Sequence, residues 1–349
     1  MIPSWFRQPV KTISDRARLQ AGERLDQLCK PPGGLGILEY IVLELAGMQD
    51  TCYPEVDPCK LVIFAADHGI AKAGISAFPQ PVSTVITHRI LGGRAAPALL
   101  AESTVTPLEV IDFGVQGPLP DHEKLRRASF RSCTEDFRTR SAMSADQFFM
   151  ALHEGKQAAE RAKEAGVHLL IPADVGMDNN TSATAVLCAL LGLSPNSVTG
   201  PDAGQDEKAM ARKVTAIQQA LDHHSTALGE PMDALMRLGG LETAAMCGTF
   251  MACAQLGIAA LVDGFVASVA ALAAVSMRPA LRPWLLFSHR TAEPGHFSVL
   301  KALNAITILQ LDLRMGGGLG ALCALPLMRN ACLLQRHMST FQQAGIPLP

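Results

Sequence analysis

The chain lacks a large net charge of either sign: 30 Lys and Arg stand against 32 Asp and Glu, leaving −2 over 349 residues. The basic residues are scattered and form no extended stripe, so neither nucleic acid nor an anionic membrane is an expected partner. A small molecule is. No Ser/Gly linker, charge block, low-complexity tract or internal repeat divides the sequence, which predicts one large domain with small appendages. Met1–Arg16 carries charges and prolines where a secretory signal has a continuous apolar segment, and a cytoplasmic protein is expected. The nine cysteines form no Cys-x-x-Cys pair. Several, such as Cys188 and Cys253, lie in apolar runs as buried free thiols do, which argues against structural disulfides and zinc.

What is present is a large apolar fraction, 48% against 18% charged, enough for an extensive core. The most apolar stretch, Leu256–Met277, is interrupted near its middle by Asp263 and Gly264. A charge at that depth is costly in a bilayer, so the stretch reads as a buried strand followed by a buried helix. Several short apolar runs end at or near a polar residue: Leu61–Ala66 before Asp67, Val110–Ile111 before Asp112, Leu169–Ile171 before Asp174, Ile258–Val262 before Asp263, and Leu285–Phe287 before Ser288. These are expected to be buried parallel strands. Ser144 and Gln147 have capping-box spacing ahead of a helix that runs to Ala165 and stops at Gly166. A second helix is expected over Asp206–His224, with Met210, Val214, Ile217 and Leu221 at helical spacing.

Strands alternating with helices imply an α/β fold, a doubly wound, mostly parallel, Rossmann-like sheet. The terminal segments Ile13–Met48 and Met328–Gln343 read as helices that pack together. The expected organisation is a large α/β domain over 49–327 and a small helical domain from 1–48 plus 328–349. In such a sheet the carboxyl ends of the strands share one edge, and the terminal Asp and Ser residues converge there.

Glycine-bearing loops occur at Lys30–Gly36, Thr199–Gly204 and Arg314–Gly320. Glycine lets a backbone approach a phosphate closely, but none of the three is a Walker loop and none fits Gly-x-Gly-x-x-Gly after a strand. Taken singly, each is a tight turn more often than a phosphate cradle. Asp67-His68-Gly69 and Ser288-His289 put imidazoles at strand ends, where buried hydrogen-bonded histidines and acid–base groups are both found. In Asp222-His223-His224 the adjacent residues point about 100° apart on a helix, which predicts a solvated helix end and no metal site.

Lys30-Pro31-Pro32-Gly33-Gly34-Leu35-Gly36, Ala66-Asp67-His68-Gly69, Gly239-Gly240-Leu241-Glu242, Asp263-Gly264-Phe265 and Leu311-Asp312-Leu313-Arg314-Met315-Gly316 stand in an order and spacing that resembles one family across nearly the whole chain. That family is the nicotinate mononucleotide:5,6-dimethylbenzimidazole phosphoribosyltransferases, which attach the ribose phosphate of the lower axial ligand in cobamide synthesis. The resemblance implies a doubly wound sheet, a small helical domain made from both chain ends, a dimer, and neither cofactor nor metal. It also implies a carboxylate that takes a proton from the incoming base while the ribose gains oxocarbenium character. By the same resemblance Gly176, Gly200, Asp202, Gly204, Ser288 and Thr291 face the nucleotide. Phe78, Ile86, Val175, Met177, Met315 and Leu319 form the aromatic-base pocket.

The departures from the family's pattern carry the functional expectation. Where the family's loop reads Leu-Gly-Glu-Gly-Thr-Gly, with the glutamate as general base, this chain reads Met315-Gly316-Gly317-Gly318-Leu319-Gly320. Gly317 has no group to accept a proton, and general-base catalysis contributes roughly 10²–10⁴-fold in rate. A second family glutamate is here Asp174, one methylene shorter. In the phosphate loop Pro201 removes an N–H donor and Asp202 adds a negative charge. Ser288-His289-Arg290-Thr291-Ala292-Glu293-Pro294-Gly295-His296 keeps much of the family's Ser-His-x-Ser-x-Glu-x-Gly-His pattern. The resulting expectation is a weakly active or non-catalytic subunit that pairs with a catalytically intact homologue, the two-subunit phenol- or p-cresol-attaching enzyme being one candidate. The alternatives are a self-sufficient transferase using Asp174 or an oriented water as base, and a non-enzymatic nucleotide or base sensor.

Overall fold

A computed structural model describes residues 2–76, 78–128, 133–200 and 207–347. Seven strands lie at Cys59–Ala65 (β1), Leu108–Asp112 (β2), Leu125–Arg127 (β3), Leu169–Val175 (β4), Ala259–Val262 (β5), Leu285–Arg290 (β6) and Thr307–Gln310 (β7). They form one sheet in the order β3-β2-β1-β4-β5-β6-β7, and every neighbouring pair is parallel. The chain starts at β1, winds outward to β3, then returns to β4 on the other side of β1 and proceeds to β7. The strand order therefore reverses between β1 and β4, where Phe64 pairs with Asp174. This is the position at which doubly wound sheets open a crevice for ligand.

β4 is buried at every residue, and β1 at all but Lys60. Such strands are covered on both faces, which explains their near-continuous apolar sequences. One covering pair consists of helices Ala145–Glu164 and Leu241–Leu256. The first starts as the sequence predicts: Ser144 Oγ accepts from the N–H of Gln147 (3.2 Å), and the Gln147 carboxamide accepts from the N–H of Ser144 (2.9 Å). The two helices cross backbone on backbone. A β-carbon at Gly155 would stand 1.8 Å from the carbonyl oxygen of Ala245, and one at Gly248 would stand 2.1 Å from that of Leu152. Only glycine admits so close a crossing.

Helices Asp15–Gln27 and Ile37–Gln49 pack against helix Leu319–His337. Arg24 donates to the carbonyl oxygen of Gln335 (2.7 Å), and Leu28 bridges to Thr340. Leu319–His337 begins nine residues before the expected Met328 and runs from the sheet edge into this cap. β3 and β7 carry no apolar run long enough to announce them. The Asp222–His224 helix end is also less solvated than expected: His224 is buried, its Nε2 within hydrogen-bond distance of the carbonyl oxygens of Phe137 (2.9 Å) and Arg140 (3.2 Å). The buried stripe of that helix runs through Ala209, Lys213, Ala216, Ile217 and Ala220, with Met210, Val214 and Leu221 on its margin.

Candidate active site

Three strands end against one cavity of about 230 Å³ at the carboxyl edge. β4 contributes Asp174 and Val175, followed by Gly176, Asn179 and Asn180; the turn after β5 contributes Gly264; the segment after β6 contributes Thr291 and Glu293. Ile86 and Ile90 come from helix Val82–Leu91, Pro97 follows it, and the loop Leu313–Gly316 closes the far side. Asp67 sets this helix in place. Its carboxyl accepts from Ser83 Oγ (2.5 Å) and from the Gln116 N–H (2.7 Å), and Ser83 Oγ in turn accepts from the N–H of Met177 (3.0 Å).

Asp174 is 4% exposed. Burial raises its pKa well above the usual carboxylate range, and the nearby Asp263 and Glu242 carboxylates push it further; His68 opposes them. A neutral carboxyl group is compatible with its neighbour, the Asn179 carboxamide, which donates to Oδ2 (2.7 Å). Behind it His68 and Glu242 form a wholly buried pair at 3.2 Å. Burial disfavours both charges, yet each partner outweighs that penalty for the other, so His68 is raised and Glu242 lowered.

Asp263 organises the glycine loop. Its carboxyl accepts from the N–H groups of Gly318 (2.9 Å) and Ala321 (3.0 Å), closing the open donors at the start of helix Leu319–His337. Gly317 and Gly318 take φ of +77° and +85°, the left-handed region. Gly317 then donates its N–H to the carbonyl oxygen of Asp174 (2.9 Å). The His289 ring lies against Gly320, where a β-carbon would stand 2.0 Å from Nδ1.

Of the residues singled out from the sequence, Asp174, Val175, Gly176, Ile86, Thr291 and Met315 line this cavity. Gly317 sits beside it, against Pro97 and Val175. Gly200 abuts Glu293 and Pro294. Ser288 lies one layer back, wholly buried, its Oγ donating to the carbonyl oxygen of Asp263 (3.0 Å). Phe78 is 54% exposed, and Phe78, Met177 and Leu319 are outside the cavity lining. Asp202 and Gly204 fall outside the described residues. Glu293 and Gly264 belong to motifs quoted above but had no role assigned, whereas Asn179, Ile90 and Pro97 lie in none of those motifs. Among the described residues no group of three or more His, Cys, Asp or Glu is placed to hold a metal ion. Nor is any helix among them long and apolar enough to cross a membrane.

A doubly wound parallel sheet with a cavity at its carboxyl edge, lined by apolar side chains such as Ile86, Pro97 and Val175 and by polar ones such as Thr291, Asn180 and Glu293, defines an α/β protein with a site of small-ligand size. Residues 10–346 match the phosphoribosyltransferase family. The chain is 42% identical over 342 residues to the nicotinate-nucleotide–dimethylbenzimidazole phosphoribosyltransferase of Pseudomonas aeruginosa strain LESB58, covering 98% of this chain and 97% of that one. It is 43% identical over 343 residues to that of Azotobacter vinelandii, with the same coverage. The crystal structure of the Thermus thermophilus enzyme of that name superposes with a TM-score of 0.90 at 38% identity, covering 96% of this chain and 99% of the other. The chain belongs to this phosphoribosyltransferase family.

Proposed function

We propose that the chain is a subunit of a transferase that moves the ribose phosphate of nicotinate mononucleotide onto an aromatic lower-ligand base in cobamide synthesis, and that alone it is weakly active or non-catalytic. The family membership supports the reaction type. The single observation that carries the weak activity is Gly317: beside the cavity, where the resembling loop carries its general base, stands a glycine whose N–H is tied to Asp174. Asp174 offers little compensation, because burial and its acidic neighbours raise its pKa well above the usual carboxylate range and so favour the protonated form, which cannot accept a proton as a base must. The partner in this reading is a homologous subunit with the loop glutamate intact, and the base is a benzimidazole or a phenol such as p-cresol.

Asp174, or a water it orients, acting as base in a self-sufficient enzyme is the second reading, favoured by the place of Asp174 in the cavity wall. A non-enzymatic nucleotide or base sensor is the third. The test is a transfer assay with nicotinate mononucleotide and either dimethylbenzimidazole or phenol, using the chain alone and co-expressed with an intact homologue. Product only with the co-purifying homologue is the expected result. Turnover by the single chain at about 1–10³ per second selects the second reading, and a chain that neither turns over nor co-purifies selects the third.

A further inference from the structure

Helix Val82–Leu91 buries hydroxyls and bares an apolar side chain. Ser83, Thr84 and Thr87 are buried with Ile90 and Leu91, while Val85 is 55% exposed. A helix held by an apolar core turns its valine inward and its hydroxyls out. This one is tied by directional bonds instead. Ser83 Oγ donates to Asp67 Oδ1 just beyond β1 (2.5 Å) and accepts from the N–H of Met177 just beyond β4 (3.0 Å). Thr84 Oγ1 donates to the carbonyl oxygen of Gln116 (2.7 Å), in the segment after β2. The Thr87 hydroxyl stays within the helix and donates to the carbonyl oxygen of Ser83 (2.8 Å).

Apolar contact is non-directional and lets a helix slide, whereas a hydrogen bond weakens steeply as its distance and angle drift. The ties therefore fix where this helix stands. Ile86 and Ile90 on the helix line the cavity, and so does Val175, two residues before Met177. The Ser83 hydroxyl links the two elements that carry them, while Ser83 itself is wholly buried and outside the cavity lining. We infer that Ser83 is a positioning residue for ring selectivity: it sets the spacing of the apolar lining side chains and so decides which aromatic ring the cavity accepts. This rests on the aromatic-base reading of the cavity and deepens it by naming what fixes the cavity's dimensions. One methylene in an apolar pocket changes preference by about tenfold to two-hundredfold, so a small displacement of Ile86 and Ile90 is enough to alter the choice between a one-ring and a two-ring base.

Equilibrium titration with phenol and with dimethylbenzimidazole, alongside amide hydrogen exchange, tests it on the full chain, on Ser83→Ala and on Thr87→Val. The unaltered chain is expected to prefer one ring by about tenfold or more. Ser83→Ala leaves the Asp67 carboxyl and the Met177 N–H each short of one partner, a loss of roughly tenfold or more in the equilibrium that holds the helix. Its amides at 86–91 are expected to exchange faster by that factor while those of β4 keep their protection, and its preference between the rings to fall by about fivefold or more. Thr87→Val removes an equally buried hydroxyl whose bond stays inside the helix, and its preference is expected to match that of the unaltered chain. An unchanged preference in Ser83→Ala overturns the role of Ser83, and so does an equal fall in Thr87→Val. Loss of protection throughout Ser83→Ala, or its failure to fold, also overturns it, because the hydroxyl then serves the whole fold. Equal affinity of the unaltered chain for both rings overturns the selectivity. Binding of neither ring by the unaltered chain removes the base reading and the assignment with it, a result distinct from binding of both with an unchanged preference.

Discussion

The N–H of Gly317 donates to the carbonyl oxygen of Asp174 at 2.9 Å, so the loop position that lacks a carboxylate is bonded to the strand end that keeps one. This bond holds residue 317 at φ +77°, with the Pro97 ring 2.7 Å from where its β-carbon would be. Gly317→Glu is therefore expected to restore a proton acceptor only at a structural cost. Backbone strain of this kind costs about 1–3 kcal/mol, which thermal unfolding will show as a lowered Tm. Adding Pro97→Ala should recover part of the loss, and the double variant should raise transfer by tenfold or more over the unaltered chain. A double variant that folds well yet transfers no faster would show that the base belongs elsewhere.

Asp174→Asn is expected to stabilise the protein at neutral pH. The raised pKa means that the folded chain holds a proton which the unfolded chain releases above about 3.8. The associated stability is complete below that pH and is lost as pH rises toward the folded pKa. Asparagine keeps the acceptor for Asn179 and does not titrate. The gain should be present at pH 7 and should vanish at pH 3.5. Denaturant unfolding at the two pH values measures both.

His296 gives the opposite slope. Its Nδ1 accepts from the Thr291 N–H (3.0 Å), which leaves Nε2–H to donate to Ser268 Oγ (3.0 Å). Burial, aided by His289 and Arg290, lowers its pKa from 6.5 to about 3. A depressed folded pKa gives stability that is present above 6.5 and is lost as pH falls toward 3, at about 1.4 kcal/mol per pH unit. His296→Gln should be less stable at pH 7 but show a shallower acid limb. An unchanged limb in a Tm-against-pH series would assign acid lability to other groups.

Gly155→Ala is expected to be severely destabilising, by more than about 3 kcal/mol, because its methyl group would overlap the Ala245 carbonyl and push two packed helices apart. Gly166→Ala is the contrast. Gly166 has φ +70° and open space around it, so it should lose only about 1 kcal/mol. Urea midpoints of the two variants separate crowding from backbone strain.

The central strands were legible because buried parallel strands are written as apolar runs, and Ser144 and Gln147 marked the start of a helix by side chains that bond only its first turn. β3 and β7 were not, since three or four edge residues bury too little to impose a pattern. In the cavity, Asp174, Val175 and Thr291 stood at ends of recognisable runs or motifs. Ile90 reaches it only because Asp67 and Ser83 hold a whole helix over the sheet edge, and Pro97 reaches it from the helix that follows, relations among distant residues that no local spacing records. Ser288 illustrates the reverse: its motif marks the right neighbourhood, while its side chain serves Asp263 one layer behind.

The outermost strands are also among the shortest. β3 is three residues long and presents Arg126 and Arg127 to solvent, and β7 ends in an exposed Gln310. An unpaired strand edge is a template on which other chains can add, and brevity and positive charge both discourage such growth. Self-association of this protein through its rim is thus disfavoured at both sides of the sheet. Any companion subunit has to be recruited by helical and loop surfaces, which leaves the strand array free from the risk of fibrillar extension.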